Sequence, residues 1–377
     1  MCLTGNASVT LCLRRSSAVF RVVTLKRMGA KLRGSDRTGR RALLVSLGVV
    51  AIVMSGCTAG VESPAPSPTV TQEAPVIDTT TLRTIIDSPR EQPTLVMGDV
   101  VDETGGVTST AVTYDSGGLT ISGILRMPAG EGPFPAVVVV HGSVNPEKYV
   151  SGGDLEAEQR ALVESGYAVF ATDMRGYAGS DAASSDSPSV DPGFGWTTVL
   201  DWGMALDVVN ALAVLRSGQV AGVDPERIGL VGHSLGGLLA MDAAVIAPGS
   251  SDVVVALSAP TSSFTEAIDE FVEEGTDAYD EISSSVGMPS ENPEYWADIS
   301  PRTFFDRATE PLLLIHGGDD DVALARWSEE TAAAWRDAGG SAESVILVGA
   351  DHALSPRRSE SVQLTMAALD AVIGPGG

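Results

Sequence analysis

One serine in this chain stands between two glycines at a spacing that suits nucleophilic chemistry: the motif from Gly232 to Gly236 reads Gly-His-Ser-Leu-Gly. An apolar run at 228–231 predicts a buried strand before it, and the residues from Leu235 onward predict a helix. A serine at such a turn lies on strained backbone, where side chains two positions away on either side would collide. The N-terminus of the following helix would favour negative charge at the serine. We interpret Ser234 as a nucleophile rather than part of a chance glycine-rich loop.

A serine nucleophile needs a general base, and four histidines are available: His141, His233, His316 and His352. His233 is held in the turn beside Ser234 and cannot fold back onto its neighbour. His141 and His316 each end an apolar strand and precede a glycine, which favours a packed, hydrogen-bonded side chain at the sheet edge. His352 follows the last predicted strand on a loop that can reach over the turn, so we interpret it as the base.

The base needs a carboxylate on its second ring nitrogen, to fix the tautomer and to stabilise the imidazolium. Asp351 precedes His352 directly, and its side chain is badly aimed at that ring. Three aspartates follow a different predicted strand, where such an acid usually lies: Asp319, Asp320 and Asp321. A run of acids is usually a solvated turn, so at most one of the three is expected to have this role.

Segments that predict strands alternate with segments that predict helices from about residue 108 onward. The strands are predicted at 111–114, 119–125, 135–140, 167–172, 228–231, 253–257, 311–315 and 344–348. Helices are predicted at 155–164, at 196–215, after 235, at 323–338 and at 359–373. The central strands are uninterrupted apolar runs, which predicts an α/β fold with a mostly parallel sheet and helices on both faces. In such sheets the active site lies at the carboxyl ends of the strands, where the candidate residues are found.

Several segments together resemble the α/β-hydrolases, most of all the catalytic domain of the prolyl oligopeptidase family and its dienelactone hydrolase-like esterase relatives. They are the segments 137–143, 173–176, 224–237, 300–301, 311–320 and 349–352. The order of serine, aspartate and histidine along the chain is also that of the α/β-hydrolases. The resemblance implies an eight-stranded, mostly parallel sheet with a small helical cap, and a Ser-His-Asp triad that works through an acyl-enzyme.

The resemblance also implies roles for single residues. The family pattern His-Gly-x-x-Asp places the acid on Asp320, with the two neighbouring aspartates as close rivals. The oxyanion hole would take its backbone N–H groups from Leu235 and from Ser143 or Val144. The chain departs from the family at Asp351, where glycine is common. Family peptidases carry a β-propeller before this domain, and we expect none here, because only a tether and a short segment precede it.

The first 57 residues carry ten lysines or arginines and one acid, a net charge of +9, whereas the other 320 carry −34. Basic residues up to Arg41, an apolar run at 42–54 and a small-residue end at Cys57 predict a signal peptide. The run is too short to span a membrane, which takes about 20 apolar residues. The sequence Met-Ser-Gly-Cys resembles a bacterial lipobox, which implies export, cleavage before Cys57 and its lipidation. We expect translation to start at Met28, where a conventional signal peptide begins.

Residues 58–93 are rich in Pro, Ser and Thr and predict a disordered tether, with the hydrolase domain at 94–377. After processing, Cys57 would be the one cysteine left, so no disulfide is expected. The excess of acids argues against a nucleic-acid partner and against adsorption to anionic lipid. We therefore expect an exported protein that meets the outer face of the cytoplasmic membrane through its lipid anchor alone.

An insertion at about 261–308 separates the sixth and seventh predicted strands. It is acidic but carries seven aromatic residues: Phe264, Phe271, Tyr279, Tyr295, Trp296, Phe304 and Phe305. We interpret these chiefly as side chains that pack the insertion onto the domain. The alternative is a cap whose aromatic residues line a substrate pocket.

Together these patterns predict a serine hydrolase that cleaves carboxylic esters, with a small ester or a short peptide as its substrate. Esters come first because they have the better leaving group and no peptide-recognition domain is expected. A serine peptidase of the prolyl oligopeptidase type is the first alternative, and an inactive lipoprotein that binds a ligand is the second. The sequence has no clustered His/Cys ligand set, so neither a metal nor an organic cofactor is expected.

Overall fold

The computed structural model describes residues 77–182 and 202–375. The predicted signal peptide, Cys57 and the first part of the tether lie outside these residues, and so does the beginning of the helix predicted at 196–215. The expectations for those segments therefore stay predictions.

In the described residues, nine strands form one sheet in the order β1-β2-β3-β5-β4-β6-β7-β8-β9. The strands are β1 (Leu95–Thr104), β2 (Val107–Ser116), β3 (Leu119–Met127), β4 (Phe134–Val140), β5 (Ala168–Thr172), β6 (Val223–His233), β7 (Val253–Leu257), β8 (Leu312–Gly317) and β9 (Ala342–Leu347). The six strands from β4 to β9 pair in parallel, whereas β1, β2 and β3 form an antiparallel extension at one edge. The predicted mostly parallel sheet is thus confirmed.

The expected number of eight strands is wrong, because β1 adds a ninth. β1 pairs only with β2 and lies at the edge of the sheet. Its side chains are exposed along nearly the whole strand, so burial does not alternate from one residue to the next. The period of two that marks a half-buried strand is therefore missing from this part of the sequence.

Helices cover both faces of the sheet, as predicted. They are α1 (Leu82–Asp87), α2 (Glu156–Glu164), α3 (Gly203–Arg216), α4 (Leu235–Ile246), α5 (Phe264–Phe271), α6 (Asp277–Ser285), α7 (Pro293–Asp298), a 3₁₀ helix (Pro301–Arg307), α8 (Ala325–Asp337) and α9 (Arg358–Ile373). Alternate residues of β4 point to opposite faces: Val138 and Val140 join the core beneath α1, α3, α4 and α8, and Val137 and Val139 join the core beneath α2 and α9. The carboxyl ends of the parallel strands remain free to carry functional loops.

The prediction of a tether up to residue 93 is wrong for its last part. Helix α1 lies within that segment, and the side chains of Leu82 and Ile85 are fully buried in the core that contains α4. Thr81 caps the helix, because its hydroxyl accepts the N–H of Thr84 at 3.1 Å. The Ser- and Thr-rich composition that predicts disorder also supplies this cap. Leu82 and Ile85, three positions apart, lie on the face of the helix that packs against the domain.

The insertion at 261–308 is helical, as expected, and consists of α5, α6, α7 and the 3₁₀ helix. Four of its aromatic side chains are buried: Phe264, Trp296, Phe304 and Phe305. Phe264 packs edge-on against Trp202, with 5.2 Å between ring centroids. Phe271 is 54 % exposed and contacts Trp327. Packing against the domain therefore accounts for most of the aromatic residues.

Within residues 77–182 and 202–375, no helix has both the length and the apolar content that a membrane crossing requires.

Substitution of Ile85 tests whether α1 is part of the folded domain. Because Ile85 is fully buried, Ile85→Ala should lower the free energy of unfolding by about 2–5 kcal/mol, measured by urea denaturation. Val96→Ala is the control, because Val96 is 58 % exposed and its truncation should change stability by less than about 0.5 kcal/mol. Equal, small effects of the two substitutions would contradict the docked helix.

Candidate active site

Ser234 lies at the turn between β6 and α4. Its φ of 54° and ψ of −121° fall outside the regions that non-glycine residues usually occupy, so the turn is strained. A Cβ atom at Gly232 would overlap the backbone of Gly236, and a Cβ atom at Gly236 would overlap the carbonyl oxygen of Val140. Both glycines are therefore required by close packing, and the predicted strand–turn–helix is confirmed.

Two hydrogen bonds in series join Ser234 to a carboxylate. His352 lies in the loop between β9 and α9, and its Nε2 is 2.9 Å from Oγ of Ser234. Its Nδ1 is 2.8 Å from Oδ2 of Asp320, which lies in the loop after β8. Because a carboxylate only accepts, Nδ1 carries the ring proton and the lone pair of Nε2 faces the serine hydroxyl. The structure thus brings together the three residues that the sequence selects for the site.

Asp320 is set apart from its neighbours by burial. Its side chain is buried, whereas Asp319 and Asp321 are exposed. Its Oδ1 accepts the backbone N–H groups of Val322 at 2.8 Å and of Ala323 at 2.9 Å. These bonds fix the carboxylate plane and leave Oδ2 directed at the base.

A second histidine contacts the same carboxylate. His316, which is fully buried, places Nε2 3.0 Å from Oδ2 of Asp320 and 3.0 Å from the carbonyl oxygen of Ala323. Its Nδ1 lies 2.7 Å from Oγ of Ser328, so the serine hydroxyl donates to the ring and Nε2 carries the proton. The packed role expected for His316 is confirmed, and its contact with the acid is an addition that the His-Gly-x-x-Asp spacing could have signalled.

The charge state of Asp320 follows from these contacts. Burial by itself would raise the pKa of the carboxyl group. Hydrogen bonds from His316, His352 and the two loop amides outweigh that effect and hold the pKa well below its usual range. Asp320 is therefore ionised at neutral pH, as an acid that orients an imidazole must be.

The loop that carries Ser143 and Val144, the predicted oxyanion loop, lies against Ser234. A Cβ atom on Gly142 would lie 3.2 Å from Cβ of Ser234, so the next residues, Ser143 and Val144, lie beside the turn. The N–H groups of Leu235, Ser143 and Val144 donate to no acceptor in the described part of the chain. Leu235 is the first residue of α4, where an N–H has no partner within the helix. All three groups remain candidates, and the choice between Ser143 and Val144 stays a prediction.

His141 packs beside the oxyanion loop and contacts it through Tyr177. It is almost fully buried, and its Nε2 lies 2.9 Å from the carbonyl oxygen of Asp173. Its ring packs against Tyr149 and Tyr177, whose centroids are 4.3 and 4.5 Å away. The hydroxyl of Tyr177 donates to the carbonyl of Val144 at 3.2 Å. His141 therefore has the packed role that the sequence indicates.

One neighbour of the nucleophile has a partner that no sequence pattern indicates. Nδ1 of His233 lies 3.1 Å from Oδ2 of Asp154, which also accepts the N–H of Gly142 at 2.9 Å. Asp154 and His233 are 79 residues apart in the chain. The one local sign is the turn that contains Asp154, whose φ of 62° is a conformation that aspartate tolerates better than most residues.

This arrangement can activate a hydroxyl for attack on a carbonyl carbon, because base, orienting acid and free backbone amides converge on one serine. A strained serine turn at the carboxyl edge of a parallel sheet, with the acid and the base on the loops after β8 and β9, defines the α/β-hydrolase fold.

A model of the prolyl oligopeptidase family matches residues 154–370, more than half of the chain. The chain belongs to that family, which places it among the serine hydrolases.

Among curated proteins, the chain is similar to Esterase EstD of Thermotoga maritima. The two are 25% identical in an alignment over 239 residues that covers 55% of this chain and 52% of EstD. The chain therefore spans about half the length of the curated relative that it matches.

Solved structures share the fold at low identity. An acetyl xylan esterase from a Paenibacillus species aligns with a TM-score of 0.57 and 20% identity, over 77% of this chain and 92% of that one. An acetyl xylan esterase from a Thermoanaerobacterium species aligns with a TM-score of 0.56 and 20% identity, over 76% and 91%. An acylaminoacyl peptidase from Pyrococcus horikoshii aligns with a TM-score of 0.55 and 20% identity, over 70% of this chain but 41% of that one. These likenesses confirm the α/β-hydrolase fold.

The three consecutive aspartates provide a matched test of the acid. Asp320→Asn should slow the reaction of Ser234 with a fluorophosphonate probe by about 10³- to 10⁴-fold, because the amide favours the wrong imidazole tautomer. Asp319→Asn and Asp321→Asn should react at the wild-type rate, because both side chains are exposed. The rates would be measured by intact-protein mass spectrometry, and a loss that follows Asp319 or Asp321 would show that the acid is misassigned.

Proposed function

We propose that this protein is a carboxylesterase that cleaves small esters through an acyl-enzyme on Ser234. The observation that carries the proposal is the pair of hydrogen bonds from Ser234 to His352 and from His352 to Asp320. It supplies a nucleophile, a base in the correct tautomer and an ionised acid within one connected arrangement.

In the first half of the reaction, Oγ of Ser234 attacks the ester carbonyl carbon while Nε2 of His352 takes the hydroxyl proton. The resulting oxyanion is bound by the N–H of Leu235 and by that of Ser143 or Val144. Each such donor is typically worth about 3 kcal/mol of transition-state stabilisation. The tetrahedral intermediate collapses, the C–O bond to the alcohol breaks, and the His352 imidazolium protonates the departing oxygen.

In the second half, a water molecule takes the place of the alcohol. Nε2 of His352 removes a proton from the water as it attacks the acyl carbon, and the proton then passes to Oγ of Ser234 as the acid product leaves. Asp320 stays ionised throughout and stabilises the imidazolium that forms in each half. The cycle returns the serine hydroxyl to its starting state.

Two considerations favour an ester over a peptide substrate. An alkoxide is a better leaving group than the amide anion that an unprotonated nitrogen would release, so ester cleavage makes the smaller demand on proton transfer to the leaving group. The curated relative EstD is an esterase. A serine peptidase remains the alternative, because the chain belongs to the prolyl oligopeptidase family and shares its fold with an acylaminoacyl peptidase.

A pair of chromogenic substrates separates the two activities. We expect the purified protein to hydrolyse p-nitrophenyl acetate faster than an aminoacyl p-nitroanilide, with kcat/KM compared at the same pH. Ser234→Ala should lower the esterase rate by about 10³- to 10⁶-fold, because the nucleophile is lost. Faster turnover of the anilide would make the peptidase the better assignment.

An inactive lipoprotein that binds a ligand is the remaining candidate. It requires that Ser234 be unreactive although His352 lies 2.9 Å from its hydroxyl. If the wild type and Ser234→Ala took up a fluorophosphonate probe equally, or not at all, the binding role would replace the enzymatic one.

We also propose that the protein is exported and anchored by lipid on Cys57, and that it has no nucleic-acid partner. Basic residues followed by an apolar run that ends in a small-residue stretch and Cys57 support this proposal.

The cysteines of the chain provide a matched test of the anchor. In cells fed a labelled fatty acid, Cys57→Ser should abolish both the label and the recovery of the protein with membranes. Cys2→Ser and Cys12→Ser should leave both unchanged, because cleavage before Cys57 would remove both positions. Label that persists in Cys57→Ser would contradict the proposed anchor.

A further inference from the structure

His233, the residue before the nucleophile, faces an acceptor with each of its ring nitrogens. Its Nδ1 lies 3.1 Å from Oδ2 of Asp154, and its Nε2 lies 3.1 Å from the backbone carbonyl oxygen of His352. A neutral imidazole has a single N–H group, and a carbonyl oxygen never donates. Both contacts are hydrogen bonds at the same time only if both nitrogens are protonated, as in an imidazolium ion.

Asp154 is in no position to supply the missing proton. Its Oδ2 accepts the N–H of Gly142 at 2.9 Å, and its Oδ1 accepts the N–H of Leu155 at 2.8 Å. Burial would raise the pKa of Asp154, but hydrogen bonds from His233 and the two amides, together with the charge of His233, hold it well below its usual range. The carboxyl group is an ionised acceptor, so the proton between Asp154 and His233 belongs to the ring.

We propose that His233 is a positioning residue that acts as an imidazolium ion and ties two loops to the nucleophile turn. Through Asp154 it holds Gly142, which leads into the oxyanion residues Ser143 and Val144. Through its second N–H it holds the backbone of His352, the proposed base. The assignment of this His233 clamp to ester hydrolysis rests on the function proposed above.

The charged groups around His233 come from three elements. Asp154 precedes α2, the ring of His352 lies on the loop after β9 at 5.2 Å between centroids, and Arg358 lies on α9. Burial and the charge of Arg358 lower the pKa of His233. The hydrogen bond and charge of Asp154 and the carbonyl of His352 outweigh both, so the pKa is raised above its ordinary value of 6.5.

The direction of this pKa shift fixes the pH range in which the clamp operates. A group whose pKa is raised by folding contributes its full stabilisation below its unfolded pKa, here 6.5, and loses it as the pH rises through the folded value. When the proton leaves, one of the two contacts becomes a lone-pair repulsion. Loosening of the oxyanion loop or the base loop is therefore expected as the pH rises above 6.5 and through the folded pKa of His233.

The kinetic test compares the wild type with His233→Gln, Asp154→Asn and the double variant, using p-nitrophenyl acetate over a range of pH. His233→Gln should lower kcat by about 10- to 100-fold with a smaller change in KM, because the reacting groups are misplaced while the pocket is kept. In the wild type, kcat should fall as the pH rises and His233 loses its proton. This fall should be absent from His233→Gln. The double variant should be no slower than the slower single variant, because both remove the same contacts.

Two readouts test the clamp without any use of activity. In protein labelled with ¹⁵N at histidine, both ring nitrogens of His233 should carry protons at pH 6, with the signal assigned by its loss in His233→Gln. In the same variant, hydrogen exchange at Gly142 and in residues 352–354 should be faster than in the wild type. Asp319→Asn is the control, because its exposed side chain should leave these exchange rates unchanged.

These outcomes separate the clamp from the proposed function. If the wild type cleaves no ester but His233 is doubly protonated and its loss loosens both loops, the clamp stands and the esterase does not. The clamp is overturned, whatever the activity, if one ring nitrogen of His233 carries no proton at pH 6. It is also overturned if His233→Gln has the kcat, the fall of kcat with rising pH and the exchange rates of the wild type.

Discussion

The lone pair of His352 Nε2 faces the hydroxyl of Ser234 because the other ring nitrogen is tied to a carboxylate that cannot turn. Asp320 is fixed by two backbone amides and by His316, and its remaining bond goes to the base. The strained serine turn sets the other end of the arrangement, since its backbone raises the hydroxyl towards the ring. If either end moved by an ångström, the hydrogen bond that joins the two would be lost.

The parallel sheet makes this arrangement possible over a long stretch of chain. Ser234, Asp320 and His352 follow β6, β8 and β9, whose carboxyl ends meet at one edge. The strands are held by apolar cores on both faces, so their ends are rigid starting points for loops. Strand β1 and helix α1 supply none of the residues of the site, which is why their absence from the sequence-based prediction leaves the site unaffected.

Two carboxylate–histidine pairs flank the nucleophile, and a single difference separates their roles. In the pair of Asp320 and His352, the second nitrogen faces a hydroxyl, which can donate to a neutral ring. In the pair of Asp154 and His233, the second nitrogen faces a carbonyl, which cannot. The first ring can therefore take a proton from the serine, whereas the second makes both of its contacts only when it carries two protons.

The alternation of solid apolar runs with helical segments was enough to predict the parallel sheet, its helices and the strand–turn–helix around Ser234. Residue types and strand ends also selected His352 and narrowed the acid to the run 319–321, whereas the choice of Asp320 came from the family resemblance. Strand β1 gives no alternating pattern, because both of its faces are exposed. Helix α1 has six residues, which are too few to show a helical period. The role of Asp154 could not be predicted, since it depends on where a loop 79 residues away meets His233.

We propose that Oγ of Ser234 is the nucleophile that forms the acyl-enzyme and that His352 is its base. Rapid acid quenching of the protein during turnover of p-nitrophenyl acetate, followed by peptide mass spectrometry, tests it most directly. We expect one acetyl group on the peptide that contains Ser234 in the wild type, and none at that site in His352→Ala within the same reaction time. Turnover with no acetyl group on Ser234, or equal acetylation of that serine in His352→Ala, would contradict it.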